Sequence, residues 1–169
     1  MPPVIQEVRG KSPQLGKDCF VAENATIVGD FICGDQCSFW FNSVTRVNAV
    51  RFGNRVNVQD GVVIHCTYKK SKTLVGNNVS IGHNAVVHGC TIHDNVLIGM
   101  GSVIMDGAIV HSGSIVAAGA VVLENSVIGE NELWAGVPAK KIKVVDADTT
   151  QFFIDRTAKN YVKYASWFK

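Results

Sequence analysis

Between Val75 and Val122 a large aliphatic residue returns about every sixth position: Val75, Ile81, Val87, Ile92, Ile98, Ile104, Val110, Val116 and Val122, with one five-residue step. Four positions after each of the first eight stands Val79, Ala85, Thr91, Val96, Ser102, Ala108, Ser114 or Ala120. A helix repeats every ~3.6 residues and a strand every ~2, so neither explains this period. A hexad with one large and one small position instead describes a short strand and a turn, and three hexads close a triangular coil. Successive coils pair as parallel strands about 4.8 Å apart. The aliphatic positions then fill a narrow core that no single coil could bury.

The same rhythm runs backward through Val21, Ile27, Cys33, Phe39 and Thr45, then Phe52, Val58 and Ile64. One residue too many between Thr45 and Phe52 predicts a bulge. The longer step from Ile64 to Val75 predicts an inserted loop, placed in the polar run Tyr68-Lys69-Lys70-Ser71-Lys72; such loops lie outside the coil. After Val122 the pattern frays through Glu124-Asn125-Ser126, with a last strand expected near Val127-Ile128-Gly129 and an exit marked by Pro138 in Gly136-Val137-Pro138-Ala139-Lys140. Asp148, with Gln151 three residues on, reads as a helix start. Ile154, Ala158, Tyr161, Ala165 and Phe168 follow at spacings of four and three, one apolar helix face that packs along the β-helix. A subunit-bridging helix is the alternative. The expected organisation is one domain, with a hexapeptide-repeat β-helix over 1–145 and a C-terminal helix over 146–169.

Composition adds limits. The chain has 169 residues, 47% hydrophobic and 18% charged, with net charge +2, enough for one compact core. The near-neutral balance, without a basic run, argues against nucleic acid or a membrane as partner. Met1-Pro2-Pro3-Val4 carries no charged-then-apolar signal segment, so the expected location is cytoplasmic. The five cysteines, Cys19, Cys33, Cys37, Cys66 and Cys90, are odd in number and lack the CxxC spacing of a structural zinc site. They are expected to be small buried thiols in a reducing compartment.

Three histidines are the candidate chemistry. With the loop set aside, Ile64 and Val87 lie one coil apart on one face, and His65 and His88 each follow by one residue. Both point outward and stack as neighbours, where two imidazoles can converge on one ion. His83 falls on the preceding strand, near a corner, and reaches that ion poorly from within one chain. A neighbouring chain around a threefold axis could supply it, which favours a metal between subunits of a homotrimer. His93 and His111 satisfy the same stacking rule. No third ligand occupies an adjacent strand, so they are read as solvated surface residues.

The segments Asn57-Val58-Gln59-Asp60-Gly61-Val62-Val63-Ile64-His65 and Gly82-His83-Asn84-Ala85-Val86-Val87-His88-Gly89-Cys90 resemble the gamma-class carbonic anhydrase family. The resemblance extends through Gly99-Met100-Gly101-Ser102 and Asp106-Gly107-Ala108 to Asn160-Tyr161-Val162-Lys163. It implies a left-handed parallel β-helix with the C-terminal helix packed along it. It also implies one divalent metal per subunit interface, zinc first and iron or cobalt as options. His65 and His88 would bind it from one subunit and His83 from the next. Gln59 would hydrogen-bond the metal-bound water, Asn57 would orient Gln59, and Arg46 and Asp60 would form a polar network across the seam. The implied reaction hydrates carbon dioxide to bicarbonate through a metal-bound hydroxide.

The chain departs from its most active relatives in two places. It has no Asp or Glu between His65 and His83, and Arg46 runs straight into Val47-Asn48 where relatives place Gly-Asp between. Slow or absent turnover with metal binding retained is the expectation, and Tyr68 and Tyr161 are proton-shuttle candidates by position alone. Two other readings stay open. One is an acyltransferase using an acyl-CoA donor with histidine as general base, suggested by the Gly136–Lys140 exit. The other is a non-catalytic scaffold in which metal staples a trimer.

Overall fold

The computed structural model describes residues 2–168, apart from the side chains of residues 47 and 48. The hexads build a parallel β-solenoid of about seven turns with three faces and one C-terminal helix. The first face stacks the strands of residues 4–6, 26–29, 44–47, 63–65, 86–88, 103–104 and 121–122. The second stacks 31–32, 50–52, 73–75, 91–92, 109–110 and 127–128. The third stacks 20–21, 38–39, 57–58, 80–81, 97–98, 115–116 and 132–136.

Strand after strand, one large residue points inward. Ile27, Phe39, Ile64, Ile81, Ile98, Ile104, Val116 and Ile128 are fully buried, and each such side chain stabilises the fold by about 1.5–3 kcal/mol. At the five-residue step Cys90, fully buried, takes the small inward position that the spacing gives to Thr91. The expected bulge lies opposite Gly29–Phe31, where the register slips by one residue as Val44–Phe52 turns from the first face to the second in one strand. Arg51 anchors that strand by donating to Asp30 Oδ1 at 2.8 Å. The inserted loop also stands where expected, closed by Ser71 Oγ accepting from the Thr67 N–H at 2.9 Å.

The corners need residues that tolerate positive φ, and the chain supplies them in columns. One column is Asn24, Asn42, Gly61, Asn84, Gly101 and Gly119, between the third and first faces. A second is Asp18, Gln36, Arg55, Asn78, Asn95, Gly113 and Asn131, between the second and third. The third, between the first and second faces, includes Gly89, Gly107 and Asn125. Asparagine suits these places because its short side chain tolerates the left-handed region and caps a neighbouring amide, as Asn24 Oδ1 does for the Asn42 N–H at 2.9 Å.

Two details differ from the sequence expectations. The solenoid continues past Gly129: Glu132–Gly136 stacks on Ile115–Val116 and pairs antiparallel with Ala139–Val144. Val137-Pro138 makes a hairpin turn, so Pro138 reverses the chain without ending the sheet. The helix begins at Ala147, capped by Asp146, whose carboxylate accepts from the Thr149 N–H at 2.7 Å. Asp148 sits in the first turn instead, where a negative charge suits the helix dipole. Ile154, Ala158 and Ala165 are buried against the solenoid, while Tyr161 and Phe168 pack on Trp40 at 5.4 and 5.7 Å. Among the described residues no helix is long and apolar enough to cross a membrane.

Candidate metal centre

Register alone brings His65 and His88 together. Val63–His65 and Val86–His88 pair residue for residue on the first face, with His88 opposite His65. Their rings lean toward each other, and His65 Nδ1 lies 3.0 Å from His88 Nε2. That separation suits two nitrogens sharing one cation, since bonds of about 2.0–2.1 Å in a tetrahedral site place them roughly 3.3 Å apart.

His88 is turned by a residue to which the sequence reading gave no role. Asp106 Oδ2 accepts from His88 Nδ1 at 2.7 Å. This contact puts the ring proton on Nδ1 and leaves the Nε2 lone pair facing His65. Gly89 makes the approach possible: at φ +57° its backbone passes so close to Asp106 that a Cβ would collide with Asp106 Oδ1 and Ser71 Oγ. Burial works against the charged Asp106, but Ser71 and His88 hold its carboxyl below the ordinary range. The signal for Asp106 was in the register, because Val87 pairs with Ile104 and so sets residue 106 across from residue 89.

The surroundings of His65 favour its neutral form. Burial, the Arg46 guanidinium and the His88 ring lower its pKa below the usual histidine value, against the opposing pull of Asp106. Arg46 is exposed and follows Thr45, the partner of Ile64, so it stands one coil below His65. A neutral imidazole is the form that binds a metal.

His83 sits at a different corner. It precedes Asn84 between the third and first faces, while His88 ends the first-face strand, five residues of chain away. Within one chain His83 does not join His65 and His88: among the described residues the three histidines form no group of ligand atoms within reach of one ion. Here too a carboxylate fixes the tautomer, as Asp60 Oδ2 accepts from His83 Nδ1 at 2.9 Å and leaves Nε2 facing the Tyr161 hydroxyl at 3.4 Å. Burial, then the Asp60 charge, pushes the Tyr161 phenol up to about 12. Tyr161 is therefore a neutral hydrogen-bond donor and a poor proton carrier near neutral pH.

Gln59 is buried beside His83 in a fixed chain of amides. Its Oε1 accepts from the His83 N–H at 3.2 Å, and its Nε2 donates to Asn57 Oδ1 at 3.0 Å. Asn57 Nδ2 donates in turn to Ser80 Oγ at 2.7 Å. A largely apolar groove opens at this corner, bounded by Leu97, Met100, Ile115 and Phe153.

His93 and His111 lie face to face, centroids 4.8 Å apart and planes 13° from parallel, an arrangement that aims no pair of nitrogens at one point. Tyr68 is exposed and stacks under Arg9 at 4.8 Å. Among the described residues, the group of three metal-ligating atoms lying within 4.8 Å of one another is Cys19, Cys33 and Cys37. Sequence spacing had dispersed these as separate thiols. The signal was the 18-residue step from Cys19 to Cys37, one coil.

Residues 72–106 and 89–124 match the family described as Bacterial transferase hexapeptide (six repeats). The chain is 39% identical over 168 residues to a carbonic anhydrase of Geobacillus kaustophilus, covering 98% of this chain and 91% of that one. It is also 39% identical over 168 residues to the mitochondrial gamma carbonic anhydrase 2 of Arabidopsis thaliana, covering 95% of this chain but spanning only 60% of the plant protein. The crystal structure of a hexapeptide transferase family protein from Anaplasma phagocytophilum superposes with a TM-score of 0.92 at 32% identity, covering 100% of both chains.

Proposed function

The chain belongs to the gamma-class carbonic anhydrase family, and on that premise we propose that it hydrates carbon dioxide to bicarbonate at a divalent metal shared between subunits of a homotrimer. His65 and His88 of one subunit and His83 of the next would hold the metal. The donor set fits. His65 Nδ1 and His88 Nε2 converge at 3.0 Å, and both His88 and His83 carry a carboxylate on Nδ1 that keeps the ring proton off Nε2. When bound, zinc or a similar ion brings the pKa of a bound water toward 7 and so supplies hydroxide near neutral pH.

The remaining work falls to the chain's own side chains. Asp106 and Asp60 fix two imidazoles in the tautomer that ligation needs. Gln59, held by Asn57 and through it by Ser80, presents an amide that cannot rotate freely and so orients the attacking oxygen. Arg46 keeps a role at the seam, with the Asp60 carboxylate shared between a neighbour's guanidinium and its own His83. No acidic side chain lies between His65 and His83 in sequence, and Tyr161 stays protonated, so proton release should limit turnover.

The observation that carries this reading is the convergence of His65 and His88 under Asp106. Metal analysis combined with stopped-flow carbon dioxide hydration tests it, using wild type and His88→Ala. Metal-loaded trimers that hydrate carbon dioxide, with metal and rate both lost in the variant, support it. Full metal stoichiometry in His88→Ala would sink the ligand assignment.

A second reading rests on a separate observation. His83, oriented by Asp60 and bordering the apolar groove, has the base-and-orienter geometry of a general base. Metal-free trimers that transfer an acyl group from acyl-CoA would favour it. Metal-loaded but inert trimers would point to a scaffold.

A further inference from the structure

We propose that Cys19, Cys33 and Cys37 form a second metal site that takes one thiophilic d10 cation, zinc(II) or copper(I), independently of the histidines. The three sulfurs lie within 4.8 Å of one another, and Cys19 Sγ is 3.9 Å from Cys33 Sγ. Metal–sulfur bonds of about 2.3 Å place ligand sulfurs roughly 3.8–4.0 Å apart in tetrahedral or trigonal sites. The Cys19–Cys33 pair already has the spacing of a thiolate cage, and Cys37 Sγ lies within 4.8 Å of both.

The position in the solenoid sets these cysteines apart from ordinary buried thiols. At the corner between the second and third faces, the residues flanking the turn point inward as a pair in each coil. Higher coils use Phe52 with Val56, Val75 with Val79, and Ile92 with Val96, all buried. The first coils use Leu15 with Cys19, then Cys33 with Cys37, which puts three sulfurs where aliphatic or aromatic side chains otherwise pack. Cys66 and Cys90 are buried too, yet neither belongs to such a group.

The surroundings suit a cation. The Gly34 carbonyl lies 3.4 Å from Cys19 Sγ and the Gly53 carbonyl 3.3 Å from Cys37 Sγ, so oxygens as well as sulfurs face the cluster. Cys33 and Cys37 donate toward Cys19 and draw its thiol down to about 3, while the same contact pushes Cys33 up to about 12 and Cys37 higher still. These contacts favour the thiolate at Cys19 over one at Cys33 or Cys37. A cation takes the place of the remaining protons, which pass to solvent without any change of oxidation state. Cys33 and Cys37 are buried and Cys19 is partly open, which gives the ion an entry. His65 and His88 stand at another corner and His83 at the third, so neither set competes for the other's metal.

The test uses the full chain, stripped with chelator under anaerobic reducing conditions, then titrated with zinc(II) or copper(I) against a competing chelator. One equivalent per chain beyond the histidine-bound metal is expected, with X-ray absorption showing three sulfur neighbours. Three sulfurs alone identify copper(I), and three sulfurs with one lighter neighbour identify zinc(II). Cys33→Ser should lose that equivalent and keep the histidine metal; His88→Ala should do the reverse. In the unmodified protein the bound ion should protect Cys19 from alkylation, an arm that holds even if Cys33→Ser fails to fold. Equal stoichiometry in Cys33→Ser and wild type, unprotected Cys19 in the presence of either metal, or a Cys19–Cys33 disulfide under the same conditions would each overturn the proposal.

Discussion

Asp106 Oδ2 accepts from His88 Nδ1 at 2.7 Å across adjacent turns of the solenoid, and this one contact aims the opposite nitrogen of His88 at His65. A carboxylate on the far side of a ligating imidazole fixes its tautomer and raises its basicity. Asp106→Asn should therefore weaken metal binding by about 10- to 100-fold while the fold is kept. Chelator competition reads the affinity and circular dichroism the fold. Unchanged affinity would remove Asp106 from the site.

Gly89 should tolerate no side chain. Its positive φ costs an L residue about 1–2 kcal/mol, and a Cβ would meet Asp106 and Ser71. Gly89→Ala is expected to lower stability by more than that amount and to weaken metal binding as Asp106 is displaced. Urea unfolding and metal titration measure the two effects. A stable variant that binds metal normally would show that Asp106 can shift without consequence.

Tyr161 should leave the pH dependence alone. Burial and the Asp60 charge push its phenol up to about 12, so it does not titrate near neutral pH. The pH–rate profile of Tyr161→Phe should keep the wild-type shape between pH 6 and 9. A rate that collapses in weak buffer and recovers with added imidazole would instead identify Tyr161 as the proton carrier.

Acid should act on the terminal hairpin. Glu132 accepts from Lys141 Nζ at 2.6 Å, Trp134 Nε1 at 2.8 Å and the Gly129 N–H at 2.9 Å. The Lys141 and Trp134 bonds hold its pKa below the ordinary glutamate value, against burial. Because the folded pKa is depressed, this stabilisation is complete above the unfolded value of about 4.3 and is lost as pH falls through the folded one. Glu132→Gln should cost about 1–3 kcal/mol at pH 7, with the gap to wild type closing below about pH 4. Urea unfolding across that range checks it, and a gap that stays constant with pH would contradict it.

The hexad spacing carried the fold because its physical cause is local. Each large residue that turns inward fixes the phase of its own strand, so Ile64 and Val87 were legible as stacked partners, and His65 and His88 with them. The bulge after Thr45 and the loop before Thr73 were legible for the same reason, since extra residues disturb the phase. The hairpin after Gly129 was not. Glu132–Gly136 has one surface against Ile115–Val116 and an antiparallel partner in Ala139–Val144, and a pairing of that kind leaves no sixfold trace.

The sequence by itself determined the coil, its register and the faces on which His65, His83 and His88 stand, because period fixes where a residue points. The tertiary structure decided what each side chain meets there. Asp106 turning His88 and Cys33 joining Cys19 and Cys37 cross from one phase of the repeat to another, and Asp60, stacked one coil below His83, reaches its ring only through side-chain rotation. Such contacts depend on corner geometry and side-chain rotation, which a rhythm of inward positions does not encode.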